Sequence, residues 1–182
     1  MSKTPPPRTD LALALLRCKW KDAEAQLLGP PTDRAVLEAI VRVYESNTKE
    51  LRDIVDEIGW PGRSLVGEEA ANAAFLIAQH SDADRVFQRR ARDLVAQAAE
   101  VGEATHQQMA YLIDRCCLNS RPRRPQVYGT QYIPGRGGLL LYAVEDAQRL
   151  DARRAAIGLE PYAEYDARIR GGLALFGGES AT

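Results

Sequence analysis

The segment that most constrains this fold is an alanine-rich stretch that follows a glycine–proline turn. Residues 59–80 read GWPGRSLVGEEAANAAFLIAQH. Gly59 and Pro61 are typical of a chain that has just left a helix. Few of the residues after this turn are polar. A helix that is apolar on nearly every face is typically buried in the protein core. We therefore expect residues 65–80 to form the central helix of a helical domain, with small side chains that let its neighbours approach closely.

Helical patterns occupy most of the remaining chain. In each of them apolar residues recur at helical spacing, between capping residues and glycines that mark the ends. The sequence predicts further helices over residues 10–28, 32–46, 47–58, 82–101, 105–118, 146–157 and 161–169. Two of the starts, Asn47–Glu50 and Thr105–Gln108, fit the capping-box pattern. In the first helix, the stripe consists of Leu13, Leu16, Trp20 and Leu27.

One stretch predicts β structure. Residues 127–133 are rich in β-branched and aromatic side chains, residues 134–138 read PGRGG, and residues 139–142 read LLLY. Two β-like runs on either side of a glycine-rich turn predict a hairpin. We therefore expect a mainly α fold, a single-domain multi-helix bundle with one small β-hairpin near residues 127–142.

Length and composition set the number of domains. The chain has 182 residues, of which 45% are hydrophobic and 27% charged, which suits one globular domain with a real core. Consecutive prolines near the start predict a disordered tail over residues 1–9. We expect the helical domain to span residues 10–170, and residues 171–182 to form a frayed C-terminal tail.

Charge and hydropathy argue against several kinds of partner. The net charge of −1 gives no field that attracts nucleic acid or an anionic membrane. No apolar run approaches the roughly 20 residues of a membrane span, and the polar N-terminus lacks the apolar core of a secretory signal. The three cysteines, Cys18, Cys116 and Cys117, make a poor disulfide framework and no zinc spacing, so we interpret them as packing residues. These features favour a cytoplasmic protein without membrane or nucleic-acid partners.

His80 is the first candidate for chemistry, because it stands where the apolar helix meets an acidic turn. Asp82 and Asp84 follow it closely. A carboxylate beside an imidazole fixes its tautomer and stabilises its charged form, as a general base requires. The same residues would also supply nitrogen and oxygen ligands to a metal. In the third interpretation the aspartates cap the next helix and His80 closes the preceding one.

A second group of candidates lies on the predicted helix 105–118. Tyr111, Asp114 and Arg115 fall opposite its apolar face, which indicates either solvated surface or a wall of a pocket. Asp114 suits the orientation of a histidine or pairing with an arginine. Arg115 suits bidentate binding of a carboxylate or phosphate.

A third group surrounds a glycine that permits close approach of a ligand. Gln126, Tyr128, Thr130 and Gln131 flank Gly129 and offer neutral hydrogen-bonding groups. Such groups orient a polar substrate in a binding site. The alternative interpretation is a β-strand with polar edges.

Several motifs, taken in order, resemble an uncharacterised family of bacterial helical domains, catalogued as a domain of unknown function. The motifs are GWPGRSLVGEEAANAAFLIAQH, Phe87-Gln88, AYLIDR ending at Arg115, PQVYGTQ ending at Gln131, and RRAAIGL ending at Leu159. The resemblance covers roughly residues 40–166. It implies that Gln79, His80, Gln88, Tyr111, Asp114, Arg115, Gln126, Tyr128, Thr130 and Gln131 belong together, but it implies no activity. The arginine-rich loop before Gln126 and the glycine-rich hairpin tip depart from the pattern.

From these residues we expect a small enzyme that acts on a polar small-molecule or peptide-like substrate. His80 would be its general acid or base, with Asp114 orienting it or Arg115 binding an anionic group. The substrate-binding candidates are Gln79, Gln88, Tyr111, Gln126, Tyr128, Thr130 and Gln131. Hydrolysis, elimination or cyclisation needs only proton transfer and orientation, so we expect neither a cofactor nor a metal. The alternatives are a non-catalytic helical module that binds a ligand or partner and, less favoured, a metal-dependent hydrolase. The sequence does not indicate the oligomeric state.

Overall fold

The computed structural model of this chain describes residues 8–28, 33–136 and 138–176, with side chains described through residue 171. The structure is 69% helical and also contains a two-stranded antiparallel hairpin. These features confirm the prediction of a mainly α fold. Most of the predicted N-terminal tail, the hairpin-tip residue 137 and the end of the C-terminal tail lie outside the described residues. Internal contacts group the chain into two compact units, residues 1–112 and residues 113–182.

The N-terminal unit is built around one short helix that all its neighbours contact. Its helices are α1 (Thr9–Gln26), α2 (Arg34–Ile58), α3 (Arg63–Val66), α4 (Glu68–His80), α5 (Arg85–Glu100) and the start of α6 (His106–Leu118). α4 packs against α1, α2, α3 and α5. Ala73, Ala74 and Ala78 are fully buried on it, since their small side chains allow this close approach. The prediction of α4 as the central helix is confirmed.

α2 is one continuous helix where the sequence predicts two. The expected start at Asn47 is wrong, because both capping-type side chains there bond to neighbouring helices. The Asn47 amide donates to the Cys18 carbonyl oxygen at 2.9 Å, and the Thr48 and Ser81 hydroxyls are 2.9 Å apart. With these side chains engaged elsewhere, the backbone stays helical from Arg34 to Ile58.

Local capping signals decide the other helix boundaries. Gly67, with φ of +82°, separates α3 from α4 within the helix predicted over residues 65–80. Asp84 caps α5 by accepting from the backbone N–H of Phe87 at 3.0 Å. The capping box of α6 is confirmed, because Thr105 and Gln108 each accept from the other's backbone N–H, at 3.0 and 2.9 Å.

The C-terminal unit contains the end of α6, the hairpin and two more α-helices. Its elements are β1 (Tyr132–Gly135), β2 (Gly138–Leu141), a 3₁₀ turn (Ala147–Arg149), α7 (Leu150–Ala156) and α8 (Tyr162–Phe176). The strands pair antiparallel, with Tyr132 opposite Leu141. They are shorter than predicted, because residues 126–131 form a loop whose backbone groups bond to side chains. α8 continues past residue 169 to Phe176.

α1 carries apolar side chains on its outer face as well as its inner one. The inner face is Leu11, Leu15, Cys18 and Ala25, all buried. Leu13, Trp20 and Leu27, from the stripe seen in the sequence, are 54%, 69% and 86% exposed. Among the described residues, no helix is both long enough and apolar enough to cross a membrane.

Candidate functional site

His80 lies in the last turn of α4, where two other helices bring polar side chains to it. Its Nδ1 is 2.9 Å from Oδ2 of Asp22 on α1. Its ring stacks on Tyr44 of α2, with the ring centroids 4.4 Å apart and the planes inclined by 24°. The His80 side chain is 28% exposed and that of Asp22 is 13% exposed. We call His80, Asp22 and Tyr44 the His80 cluster.

The partner of Nδ1 fixes the protonation pattern of the ring. An ionised carboxylate only accepts hydrogen bonds, so Nδ1 carries the proton and donates it to Asp22. In the neutral ring Nε2 is then the basic nitrogen, and no described residue hydrogen-bonds to it. Burial pushes the pKa of Asp22 upward, but the hydrogen bonds from His80, Gln26 and Tyr44 outweigh burial and hold this pKa below its ordinary value.

Asp82 and Asp84 both accept hydrogen bonds around the turn that follows α4. Asp82 accepts from the Gln88 side-chain amide at 3.0 Å. Asp84 caps α5 and accepts from Arg52 at 2.9 Å. The helix-cap interpretation therefore describes Asp84. No group of three or more histidine, cysteine or acidic residues suited to a metal is found in the described part of the chain.

Gln79 and Gln88, two of the expected substrate-binding residues, are buried beneath this turn. They are 8% and 1% exposed. The Gln88 amide also donates to the carbonyl oxygens of Ala78 and Gln79, at 3.3 and 3.2 Å. These carbonyls end α4 and lack partners within the helix. Gln88 therefore closes the C-terminal end of the helix that carries His80.

Asp114 is fully buried and organises the loop of residues 126–131, which we call the Asp114 loop. One carboxylate oxygen accepts from the backbone N–H groups of Val127 and Tyr128, at 2.7 and 3.0 Å. The other accepts from the backbone N–H and the hydroxyl of Thr130, both at 2.9 Å. Burial raises the pKa of Asp114, while these donors oppose the rise. Every neighbour donates, which is the arrangement that an ionised carboxylate requires.

Gln126 closes the Asp114 loop from within. Its side-chain oxygen accepts from the backbone N–H of Gln131 at 2.8 Å. Its side-chain amide donates to the carbonyl oxygens of Gln131 and Tyr142, at 3.0 and 2.7 Å. The Gln131 side chain in turn lies 3.4 Å from the Arg115 guanidinium. Gln126 is fully buried, so this amide is a structural clamp.

Three side chains of α7 and α8 bind the carbonyl groups of the same loop. Arg153, Arg154 and Tyr165 donate to the carbonyl oxygens of Val127 (2.9 Å), Tyr128 (2.7 Å) and Thr130 (3.0 Å), respectively. Arg154 is only 2% exposed, and its guanidinium carbon lies 4.8 Å from the centroid of the Tyr165 ring. Asp114 thus accepts hydrogen bonds from the backbone N–H groups of the loop, while two arginines and a tyrosine donate hydrogen bonds to its carbonyl oxygens.

The structure divides the expected site into two sets. Asp114, Arg115, Gln126, Tyr128, Thr130 and Gln131 belong to the Asp114 loop and its contacts. The carboxylate bonded to His80 is Asp22, in the position that we expected Asp114 to fill. Sequence reasoning missed Asp22 because 58 residues separate it from His80 and no motif marks it. It missed Arg154 and Tyr165 as well, although the RRAAIGL motif contains Arg154.

Tyr111 lines a separate cavity in the N-terminal unit. This cavity of about 310 Å³ also has Phe75, Asn72 and Gln108 in its walls. The Gln108 amide donates to Asn72 at 3.2 Å. Tyr111 is half-buried there, while His106 at the start of the same helix is exposed.

Comparisons with known proteins give a family and no activity. A search among curated proteins finds no match, and neither does a search among solved structures. A family model described as a family of unknown function, DUF6624, matches residues 14–175. The match confirms the resemblance to an uncharacterised domain family. Because it spans most of the chain, including both the His80 cluster and the Asp114 loop, the protein belongs to the DUF6624 family.

Proposed function

We propose that this protein is a small cytoplasmic enzyme in which His80 acts as general acid and base on a polar small-molecule or peptide-like substrate. One observation carries the proposal, the 2.9 Å hydrogen bond between His80 Nδ1 and a poorly exposed carboxylate of another helix. This bond orients the ring and leaves Nε2 to exchange a proton with a substrate. Hydrolysis, elimination and cyclisation all need such a proton transfer.

Asp22 and Tyr44 are positioning residues in this proposal. When Nε2 takes a proton the ring becomes an imidazolium, and the adjacent Asp22 carboxylate stabilises the new charge. The low pKa of Asp22 keeps that carboxylate ionised while the histidine cycles. Tyr44, stacked on one face, restricts rotation of the imidazole. The partial exposure of His80 gives a substrate access to the ring.

The chain offers a matched control for testing this proposal, because it has two histidines. Purified protein is screened against activated esters, lactones and peptide-like amides, and any turnover found is measured in His80→Gln and His106→Gln. We expect His80→Gln to lower kcat/KM about 10²- to 10⁴-fold, the usual contribution of a general acid–base. His106 is exposed, and its replacement leaves the rate unchanged. A rate that survives His80→Gln would contradict the proposal.

One observation favours a second function, binding without catalysis. The Asp114 loop has amides and carbonyls fixed by side chains from three elements, which is the rigidity expected of a surface that recognises a ligand. A binding module would retain a ligand without converting it. It would lose affinity when Tyr128, whose hydroxyl has no partner among the described residues, is replaced by Phe.

A further inference from the structure

The outer face of α1 carries an apolar seam with a regular spacing. Leu13, Leu16, Trp20 and Ala23 of α1, and Leu27 directly after its last residue, follow one another at intervals of three and four residues, and we call them the α1 seam. Its three largest exposed members, Leu13, Trp20 and Leu27, are 54%, 69% and 86% exposed. The opposite face of α1 packs into the core of the N-terminal unit. The seam is therefore additional to the packing that holds α1 in the fold.

Alternating intervals of three and four residues characterise a helix that packs lengthwise against another helix. The charges beside the seam indicate which helix that is. Arg17 and Glu24 flank the seam on the same side, one turn before and one turn after its centre. Among the described residues, the Arg17 side chain donates to the Leu13 carbonyl oxygen at 3.1 Å and to no carboxylate, and the Glu24 side chain makes no ion pair or hydrogen bond. Neither charge is paired with an opposite charge among the described residues. Arg17 of one copy and Glu24 of another could therefore pair with each other.

We propose that the α1 seam is a homodimer interface, in which α1 packs antiparallel against α1 of a second copy about a two-fold axis. In this register Leu16 packs against Leu27 of the other copy, and Trp20 packs against Ala23 of the other copy. The same register places Arg17 opposite Glu24 of the second copy, and symmetry makes this ion pair twice. The proposal is independent of the function proposed for His80.

Side-chain size favours the antiparallel arrangement over the parallel one. A parallel pair would set Trp20 against Trp20 and Ala23 against Ala23, which crowds one layer and leaves a gap in the next. The antiparallel register puts the large side chain against the small one in both central layers. One helix against its copy covers less than the roughly 800 Å² per partner of a standard interface, so we expect a reversible dimer.

Charge reversal on the full-length protein tests the proposal. Sedimentation velocity over a range of protein concentrations should show monomer and dimer for wild type. Arg17→Glu and Glu24→Arg should each weaken dimerisation about tenfold, because each turns two attractive pairs into repulsive ones. The double variant restores the pairs with reversed sign and should dimerise within about threefold of wild type. Val86→Lys, which changes an apolar side chain 72% exposed on α5, is the matched control and should leave the dimer intact.

The orientation is tested by a cysteine at the end of the seam. In the antiparallel dimer the two copies of residue 13 lie roughly 25 Å apart, at about 1.5 Å per residue, so Leu13→Cys forms no disulfide across the interface. The native cysteines are buried and do not interfere. A wild-type monomer at every concentration, a double variant no stronger than the single ones, an equal effect of Val86→Lys, or a disulfide-linked Leu13→Cys dimer would each overturn the proposal.

Discussion

At the scale of single residues, several fully buried polar side chains of the C-terminal unit hydrogen-bond to backbone groups, which gives them a structural role. Asp114, Gln126 and Arg154 are each 2% exposed or less, and each binds two or more backbone groups of the C-terminal unit. His80 is different, because its one hydrogen bond is to a side chain and its second nitrogen is unused within the described residues. A general acid or base requires a partly exposed ring with a nitrogen that can exchange a proton with a substrate.

The Asp114 carboxylate gives a sharp stability prediction. In Asp114→Asn one acceptor oxygen becomes an NH₂ group that faces N–H and O–H donors, so buried donors lose their partner. We expect a loss of about 3 kcal/mol in the free energy of unfolding, measured with urea. Asp93→Asn is the control, since that side chain is 60% exposed, and it should change stability by less than about 0.5 kcal/mol. Equal effects of the two changes would show that the Asp114 loop does not depend on the carboxylate.

At the scale of elements, backbone conformation sets where helices end, as Gly67 and Gly158 illustrate after α3 and α7. Gly67 has φ of +82° and Gly158 has φ of +73°, both in the left-handed region that L side chains adopt at a cost. The sequence pattern predicted a helix that ends at residue 157, directly before Gly158, but it also predicted one unbroken helix through Gly67. The short α3 that results places a turn directly before the central helix α4.

Two glycine-to-alanine changes should have opposite signs. Gly67→Ala has open space for the new methyl group, so only backbone strain acts, and we expect a loss of about 1 to 2 kcal/mol. Gly171→Ala also meets open space but lies within helix α8, where alanine is the better residue by about 1 kcal/mol. Thermal unfolding measures both. A Gly67→Ala protein as stable as wild type would mean that α3 and α4 can join into one helix.

At the scale of the whole molecule, the lowered pKa of Asp22 links folding stability to pH. A carboxyl with a lower pKa in the folded state than in the unfolded state stabilises the fold at every pH above its unfolded pKa, about 3.9. This contribution disappears as the pH falls through the lower, folded-state pKa. It is therefore present in full near neutrality and is lost only in acid.

Asp22→Asn removes that contribution and should change the pH profile in a defined way. We expect the stability advantage of wild type over the variant to shrink as the pH falls below about 4, because protonation of the Asp22 carboxylate then removes it. Urea unfolding of both proteins at each pH gives the two curves. Curves that stay parallel into acid would show that the Asp22 carboxyl is not preferentially stabilised in the folded protein.

The sequence by itself determined the class of the fold, the central place of α4, the capping box of α6 and the position of the hairpin, because each follows from residues a few positions apart. Only the tertiary structure decided what Asn47, Asp22 and Asp114 do. Asn47 has the chemistry of a helix cap, yet its partner on α1 keeps α2 intact. Asp22 reaches His80 across 58 residues of chain, and Asp114 meets the loop that it holds. A carboxylate or an amide bonds to whichever group the packing of helices brings within about 3 Å, and no local pattern records that distance.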